Sequence, residues 1–444
     1  MLTLEELRAD VAGGAIDTVV VAFTDMQGRL LGKRMDAEFF LEEAAAGHPV
    51  EGCSYLLALD MEMDPGPDYA IASWERGYGD FVLVPDLATA RRLPWLEGTA
   101  LVLADVAWPD GAPVRPSPRQ VLKGQVERAR ALGLEAMVGS ELEFYLFQET
   151  YAEAHARHYL DLTPSVPYAL DYHVLATSHS EPFIRTVRTQ MKAAGVRVES
   201  SKGEAWPGQQ EVNLRYADAL AMADAHTVYK NGVKEIAQRH GCSVTFMAKP
   251  DHRWLGSSCH VHFSLWRDGA NAFAGESDVF AAALAGQIAC APELAVLLAP
   301  TVNSYKRYAS ESWAPTTLAW GRDNRTCGFR VVGRGQSRRI ECRIPGADAN
   351  PYLAFAALLA GALHGIERGL PLAPAQDGNA YRSGAERFPA TLRDAIAAME
   401  RGAAGRAALG DDVVDHYLTY ARTEQRLFDQ AVTCYERERM FERG

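Results

Sequence analysis

The sequence holds no apolar run long enough to span a bilayer, no CxxC pair, no block of basic residues, no low-complexity tract and no P-loop. Its longest apolar stretches, TVVVAF and LAVLLAP, fall far short of the roughly 20 residues a membrane helix needs, so no membrane partner is expected. Seven cysteines, Cys53, Cys242, Cys259, Cys290, Cys327, Cys342 and Cys434, are odd in number and widely scattered. That pattern speaks against a disulfide framework or a zinc knuckle and fits reduced thiols. A formal net charge of -12 with no basic stripe argues against a nucleic-acid partner, because a polyanion needs a cationic face. The missing GxxxxGKS/T motif excludes one common way of cradling a nucleotide. The opening MLTLEELRADV reads as an acidic amphipathic helix and not as a secretion signal, so the cytoplasm is the expected compartment.

What is present is an ordinary globular composition, 48% hydrophobic and 23% charged over 444 residues, enough for two domains. The first hundred or so residues alternate strands and turns. DTVVVAFTDMQGRLLGKRM predicts a hairpin turning at Asp25 to Gly28, and DFVLVPD and TALVLADV predict short strands. The Pro-rich DGAPVRPSPRQ then leads into a predicted helix from Pro118 to Leu132. The expected organisation is a small β-rich domain over residues 1–111 and a larger one over 112–444. Long helices are predicted from Asp218 to Gly241 and up to Gly369.

Four segments of the second domain are informative when read by parity, since alternate residues of a strand share a face. GSELEFYLF puts Glu141, Glu143 and Tyr145 opposite Leu142, Phe144 and Leu146. HVHFSLW puts His260, His262 and Ser264 on one face. QEVNLRY sets Glu211, Asn213 and Arg215 against Val212, Leu214 and Tyr216, and RIECRIP sets Arg339, Glu341 and Arg343 against Ile340, Cys342 and Ile344. Each segment alone is compatible with a half-solvated antiparallel strand. Together with Glu204 in the loop KGEAWPGQQE, the polar faces collect five carboxylates and two imidazoles, a set that needs neutralising. Two divalent ions would do so, and oxygen ligands with at most one nitrogen per ion describe Mg2+ or Mn2+ better than zinc. A packing role for His260 and His262 is the alternative these strands leave open.

Arg322, Arg325, Arg330, Arg334, Arg338, Arg339 and Arg343 crowd into one stretch, interleaved with Gly321, Gly328, Gly333 and Gly335. Such a run is either a solvated face or a set of planar forks for phosphate and carboxylate. With metals beside it, the second option points to phosphoryl transfer from a nucleotide.

These motifs resemble the glutamine synthetase family along nearly the whole chain. GSELEFYLF, GQQEVNLRYADALAMAD, VTFMAKP, GSSCHVHFSL, NSYKRY, the AP of SWAP, WGRDNRTCGFR and RRIECRIPGADANPYLA stand in that family's order. The resemblance implies an α+β fold: a small N-terminal β-grasp-like domain and a large catalytic domain with an antiparallel β funnel surrounded by helices. It also implies homo-oligomeric rings, a dodecamer, with active sites between subunits. By resemblance, Glu143, Glu204 and Glu211 bind the metal beside the amino-acid substrate, and Glu141, His260 and Glu341 bind the metal beside the nucleotide phosphates. Arg307 and Arg343 resemble the arginines that hold glutamate's carboxylates, and Gly256 the glycine whose backbone meets its amino group. Arg325, Arg330 and Arg339 resemble the phosphate-binding arginines, while His262 and Ser264 lie where the family contacts ATP. The implied chemistry is phosphorylation of the γ-carboxylate of glutamate, followed by attack of an amine.

Departures from the family pattern bear on that amine. Ammonia-using members carry a glutamate just before Ala-Pro, where this chain has Trp313 in NSYKRYASESWAPT; Glu311 substitutes only if the loop shifts register. In EGCSY, Glu51 is the counterpart of an aspartate that a neighbouring subunit supplies, or else a solvated loop acid. Leu255 replaces an Asn common before the glycine. An indole in place of a carboxylate offers a flat apolar wall, and a cation over it gains roughly 0.5–2 kcal/mol. Arg325, Glu51 and Trp313 are therefore the catalytic candidates, with Trp313 also a substrate-binding one. The variants resemble the branch that makes γ-glutamyl amides of organic amines, from ethanolamine to polyamines. The alternatives are an ammonia-using glutamine synthetase and a catalytically silent regulatory ring. The acidic stretch LDMEMDPGPD would attract a polycation if it faced the site, and is otherwise an exposed loop.

Overall fold

The computed structural model describes residues 1–444. The small β unit begins with the β-branched TVVVAFT as β1 (Thr18–Thr24), paired antiparallel with β2 (Leu30–Asp36). The turn between them is closed by Asp25, whose Oδ1 accepts from the backbone N–H of Gln27 at 3.0 Å and of Arg29 at 2.8 Å. Gly28 supplies the left-handed residue, with φ +81°. Strands β3 (Val50–Cys53), β4 (Asp80–Pro85), β5 (Arg91–Arg92) and β6 (Thr99–Ala107) complete a mixed sheet of order β2-β1-β6-β4-β3, with β5 on β6. Both faces of β1 are covered. Val19, Val21 and Phe23 enter the unit's own core, while Ala22 joins the core of the larger unit. That explains an unbroken apolar run where a half-solvated strand would alternate.

The linker delivers the chain into the helix Pro118–Ala131, opened by a proline in the first turn where no N–H partner is lost. The larger sheet contains β7 (Glu135–Phe147), β8 (Val198–Gly203), β9 (Gln209–Leu214), β10 (Ala217–Asp218), β11 (Ser243–Thr245), β12 (Cys259–Arg267), β13 (Ala270–Asn271), β14 (Trp320–Arg322), β15 (Phe329–Val332) and β16 (Arg339–Cys342). Its main order is β14-β15-β16-β12-β7-β9-β8, antiparallel except for the β14–β15 pair. Its apolar side chains, Leu142, Phe144, Val212, Val261, Phe263 and Ile340, belong to one core with the helices Ala219–Arg239, Asp278–Cys290 and Pro351–Arg368. The last two helices cross backbone to backbone: a Cβ on Gly365 would sit 2.0 Å from the Ala282 carbonyl oxygen. The fold is α+β, as the family resemblance implies. No helix is long and apolar enough to cross a membrane.

The parity reading fails at one point. β9 ends at Leu214, so Tyr216 leaves the alternation; it is half exposed and stacks with Trp266 on the polar side of the sheet, ring centroids 6.4 Å apart. Elsewhere the helix starts and stops agree with their signals, including Asp218 as N-cap and left-handed Gly369 as C-cap.

Polar contacts seat the small unit on the large one. Arg119, buried at the start of its helix, donates to Asp86 and Asp105 of the small unit, each at 2.7 Å, and to Asp224 at 3.0 Å. The hydroxyl of Tyr352 donates to the same Asp224. Asn350 caps the helix Pro351–Arg368 and sends its amide N–H groups to the carbonyls of Asp25 and Met26 at the hairpin turn, at 2.9 and 3.2 Å. Asn350→Ala removes the cap and leaves the Met26 carbonyl without its donor, while the Asp25 carbonyl keeps the Gly28 N–H, so a loss of about 2 kcal/mol is expected in chemical denaturation. A stability within 0.5 kcal/mol of wild type would refute this role.

Candidate active site

β7 lies between β12 and β9, and the register decides which charges meet. Glu141 stands opposite His260 on β12 and Asn213 on β9; Glu143 stands opposite Glu211; His262 stands opposite Glu341 on β16. Two groups result, a first of Glu143, Glu204 and Glu211 and a second of Glu141, His260 and Glu341. Within each group the potential ligand atoms lie within 4.8 Å of one another.

The two groups differ in how the protein compensates them. In the second, Glu341 is buried, yet it receives Arg343 at 2.6 Å and Arg330 at 2.7 Å. Burial alone would raise its pKa; His260 and Arg343 outweigh that and hold it at about 2. Burial likewise works against ionised Glu141, but hydrogen bonds from His260 and His262 keep it well below the usual carboxylate range. In the first group, burial and then the charge of Glu204 push Glu143 up to about 8, despite hydrogen bonds from Ser258. Burial, then Glu141 and Glu204, push Glu211 up to about 10. Two buried acids and a half-buried third with so little counter-charge fit a hard divalent cation. The second group, with two carboxylates and one imidazole, offers a similar oxygen-rich set.

A cleft of about 380 Å³ opens over both groups, walled by Arg307, Arg325, Arg330, Arg343, Gly256 and Trp313. Arg307 is buried, its two terminal nitrogens donating to the carbonyls of Ile344 at 2.8 Å and Arg343 at 2.9 Å. Gly256 makes room for it, since a Cβ there would lie 2.5 Å from Arg307 Cγ. A second cleft of about 690 Å³ lies beyond Glu141 and Arg330, which border both, and is lined by His262, Ser264, Trp266, Tyr216 and Arg339. Arg339 Nε donates to His262 Nδ1 at 3.1 Å. The arrangement provides two adjoining chambers with carboxylates and arginines between them, suited to a phosphoryl donor on one side and an acceptor on the other.

Residues 115–440 match the family model described as "Glutamine synthetase, catalytic domain". The chain belongs to the glutamine synthetase family. It is 53% identical over 446 residues to gamma-glutamylethanolamide synthetase GlnA4 of Streptomyces coelicolor, covering 100% of this chain and 96% of that one. It is 38% identical over 413 residues to the glutamate–isopropylamine ligase of a Pseudomonas species, covering 90% of each. Among solved structures, one described as a GmaS/ADP complex superposes with a TM-score of 0.86 at 30% identity, covering 98% of this chain and 99% of that one.

Most of the residues singled out by the family pattern line one of the two clefts. Glu51 does not: it is exposed on β3 and borders a separate hollow with Lys33 and Arg34, away from the chain's own clefts. Glu311 is turned outward and pairs with Arg382 at 2.8 Å. The LDMEMDPGPD loop lines neither cleft; Arg29 donates to the backbone carbonyls of Asp60 and Met61 there. Trp313 borders the glutamine synthetase-type cleft with φ +65°, 60% exposed, and its carbonyl accepts from Arg343 at 3.2 Å. Sequence reading missed Lys202, Asp171, Tyr172, Gln209 and Ser258, all in the same cleft. Lys202 was legible, two residues before Glu204. Asp171 and Tyr172 come from an irregular loop with no periodic signal.

Two Mn2+ ions per chain are expected to bind the wild-type protein, and Glu143→Ala should retain only one. Equilibrium titration followed by the Mn2+ electron paramagnetic resonance signal measures this, and an unchanged stoichiometry would contradict the grouping.

Proposed function

We propose that the protein is an ATP-dependent ligase that joins the γ-carboxylate of glutamate to an organic amine through γ-glutamyl phosphate. The observation that carries the choice of an organic amine is Trp313, an indole at the edge of the cleft where a carboxylate would favour ammonium. Glu311, the nearest acid in that loop, is engaged outside by Arg382. The amine-ligase names of the two relatives support the same reading.

Glu143, Glu204 and Glu211 would hold one Mg2+ or Mn2+, and Glu141, His260 and Glu341 a second. Bound there, the ions supply Lewis-acid neutralisation of phosphate charge. The chain's own groups do the rest. His262 and Ser264 contact the nucleotide, and Arg325, Arg330 and Arg339 bind its phosphates. Arg307 and Arg343 hold the carboxylates of glutamate, with the backbone at Gly256 beside its amino group. A γ-carboxylate oxygen attacks the terminal phosphorus and ADP leaves. The amine nitrogen then attacks the acyl carbon, inorganic phosphate leaves, and the nitrogen gives up a proton. Arginines fixed by buried contacts need little reorganisation as charge develops on the transferred group.

In this reading residues 1–111 form the β-grasp-like domain and 112–444 the catalytic domain. Copies assemble into homo-oligomeric rings, a dodecamer, in which Glu51 of one subunit meets the cleft of the next. The enzyme works in the cytoplasm, where its free cysteines stay reduced. The names of the two relatives, an ethanolamide synthetase and an isopropylamine ligase, favour a short mono-amine such as ethanolamine over a long polyamine.

Phosphate release with ATP, Mg2+ and glutamate tests the reading against ammonium, methylamine, ethanolamine, putrescine, spermidine and aromatic amines. Turnover is expected with a short organic amine; turnover with ammonium alone makes the protein an ammonia-using glutamine synthetase, and none with any amine makes it a silent ring. Trp313→Glu should gain ammonium-dependent turnover at least tenfold over wild type. If amine selectivity is unchanged in that variant, Trp313 has no part in the choice.

A further inference from the structure

The first carboxylate group has one ammonium in contact with it. Lys202, on β8 opposite Glu211 on β9, places Nζ against Glu204 Oε1 and 3.5 Å from Glu211 Oε2. The same Nζ lies 4.7 Å from the centroid of the Tyr172 ring. The side chain is four-fifths covered, and both residues line the cleft. The second group has no such mobile partner: its counter-charges are the planar forks of Arg330 on β15 and of Arg343 just past the end of β16, with Arg343 also tied to the Trp313 carbonyl.

A lysine between two carboxylates competes with any ion that uses the same oxygens. One charge on a flexible stem satisfies two acids incompletely, whereas a divalent ion draws in three ligands at once and repels the ammonium. Tyr172 offers a nearby aromatic face on which a displaced ammonium keeps part of its stabilisation.

We propose that Lys202 is the tethered counter-ion of the first carboxylate group, holding Glu204 and Glu211 together in the metal-free protein and yielding those oxygens when a divalent ion binds. The proposal rests on reading that group as a metal site. It assigns Lys202 a positioning role: it keeps three acids from repelling one another apart, and it makes the first ion bind more weakly than three free carboxylates would allow. Metal arrival then moves a positive charge off Glu204 and Glu211 and within the cleft.

The test is titration of the metal-free, full-length protein with Mn2+ alone, without ATP, glutamate or amine, followed by electron paramagnetic resonance. Glu143→Ala identifies which binding step belongs to the first group. Lys202→Met should tighten that step at least tenfold and leave the other step unchanged. Lys202→Arg, whose fork grips both carboxylates, should weaken it at least threefold. Thermal melts complete the set: Lys202→Met should melt lower than wild type without metal and recover with Mn2+, and a variant that folds only with Mn2+ counts in favour. Equal first-step affinity in wild type and both variants overturns the proposal while leaving the metal site standing. A wild-type protein that binds no Mn2+ at all overturns the metal reading itself, and with it this inference.

Discussion

Mutual repulsion among the acids on one face of the larger sheet is the constraint around which the rest of this protein is arranged. Glu141 and Glu143 on β7, Glu211 on the adjacent β9 and Glu341 on β16, one strand beyond β12, stand in registers that bring their carboxylates together, and Glu204 joins them from the loop between β8 and β9. A sheet tolerates such crowding only where its other face is firmly held. Here that face is covered by helices so closely applied that two of them touch through glycine backbones. The apolar half of each strand binds the sheet to the helices, which leaves the polar half free to carry an unfavourable charge pattern as a functional device.

The charge is offset unequally. Arginines accompany Glu341, and histidines accompany Glu141, so that group is close to balanced by the protein alone. The Glu143, Glu204 and Glu211 group has Lys202 and little else, and Glu143 and Glu211 are correspondingly reluctant to ionise. The two groups are thus chemically distinct despite similar ligand counts. An ion arriving at the first has more electrostatic strain to relieve than one arriving at the second.

Much of this was legible in the sequence because a strand has a fixed period of two. Glu141 with Glu143, and His260 with His262, declare a shared face without reference to tertiary structure, and Asp218 and Gly369 declare helix ends by their side-chain chemistry. The failures have physical reasons too. Alternation extended past Leu214 puts Tyr216 on the apolar face, but the hydrogen-bonded ladder stops at Leu214 and the period stops with it. Asp171 and Tyr172 enter the cleft from a loop whose path depends on tertiary contacts, since Leu170 and Asp171 N–H groups donate to the Glu204 carbonyl. Glu51 could be identified as a candidate by resemblance only; no contact within a single chain brings it to the cleft.

The grip of Asn350 on the hairpin is made to carbonyl oxygens of Asp25 and Met26 and not to their side chains. Recognition of this kind reads the path of the backbone, and of the two residues Met26 adds a buried side-chain contact to the larger unit, its sulfur lying against His416. A small unit taken from a relative would settle at the same angle if it kept that turn, the buried methionine and the two acids that meet Arg119, and it would then present its own version of β3 to whatever lies beyond.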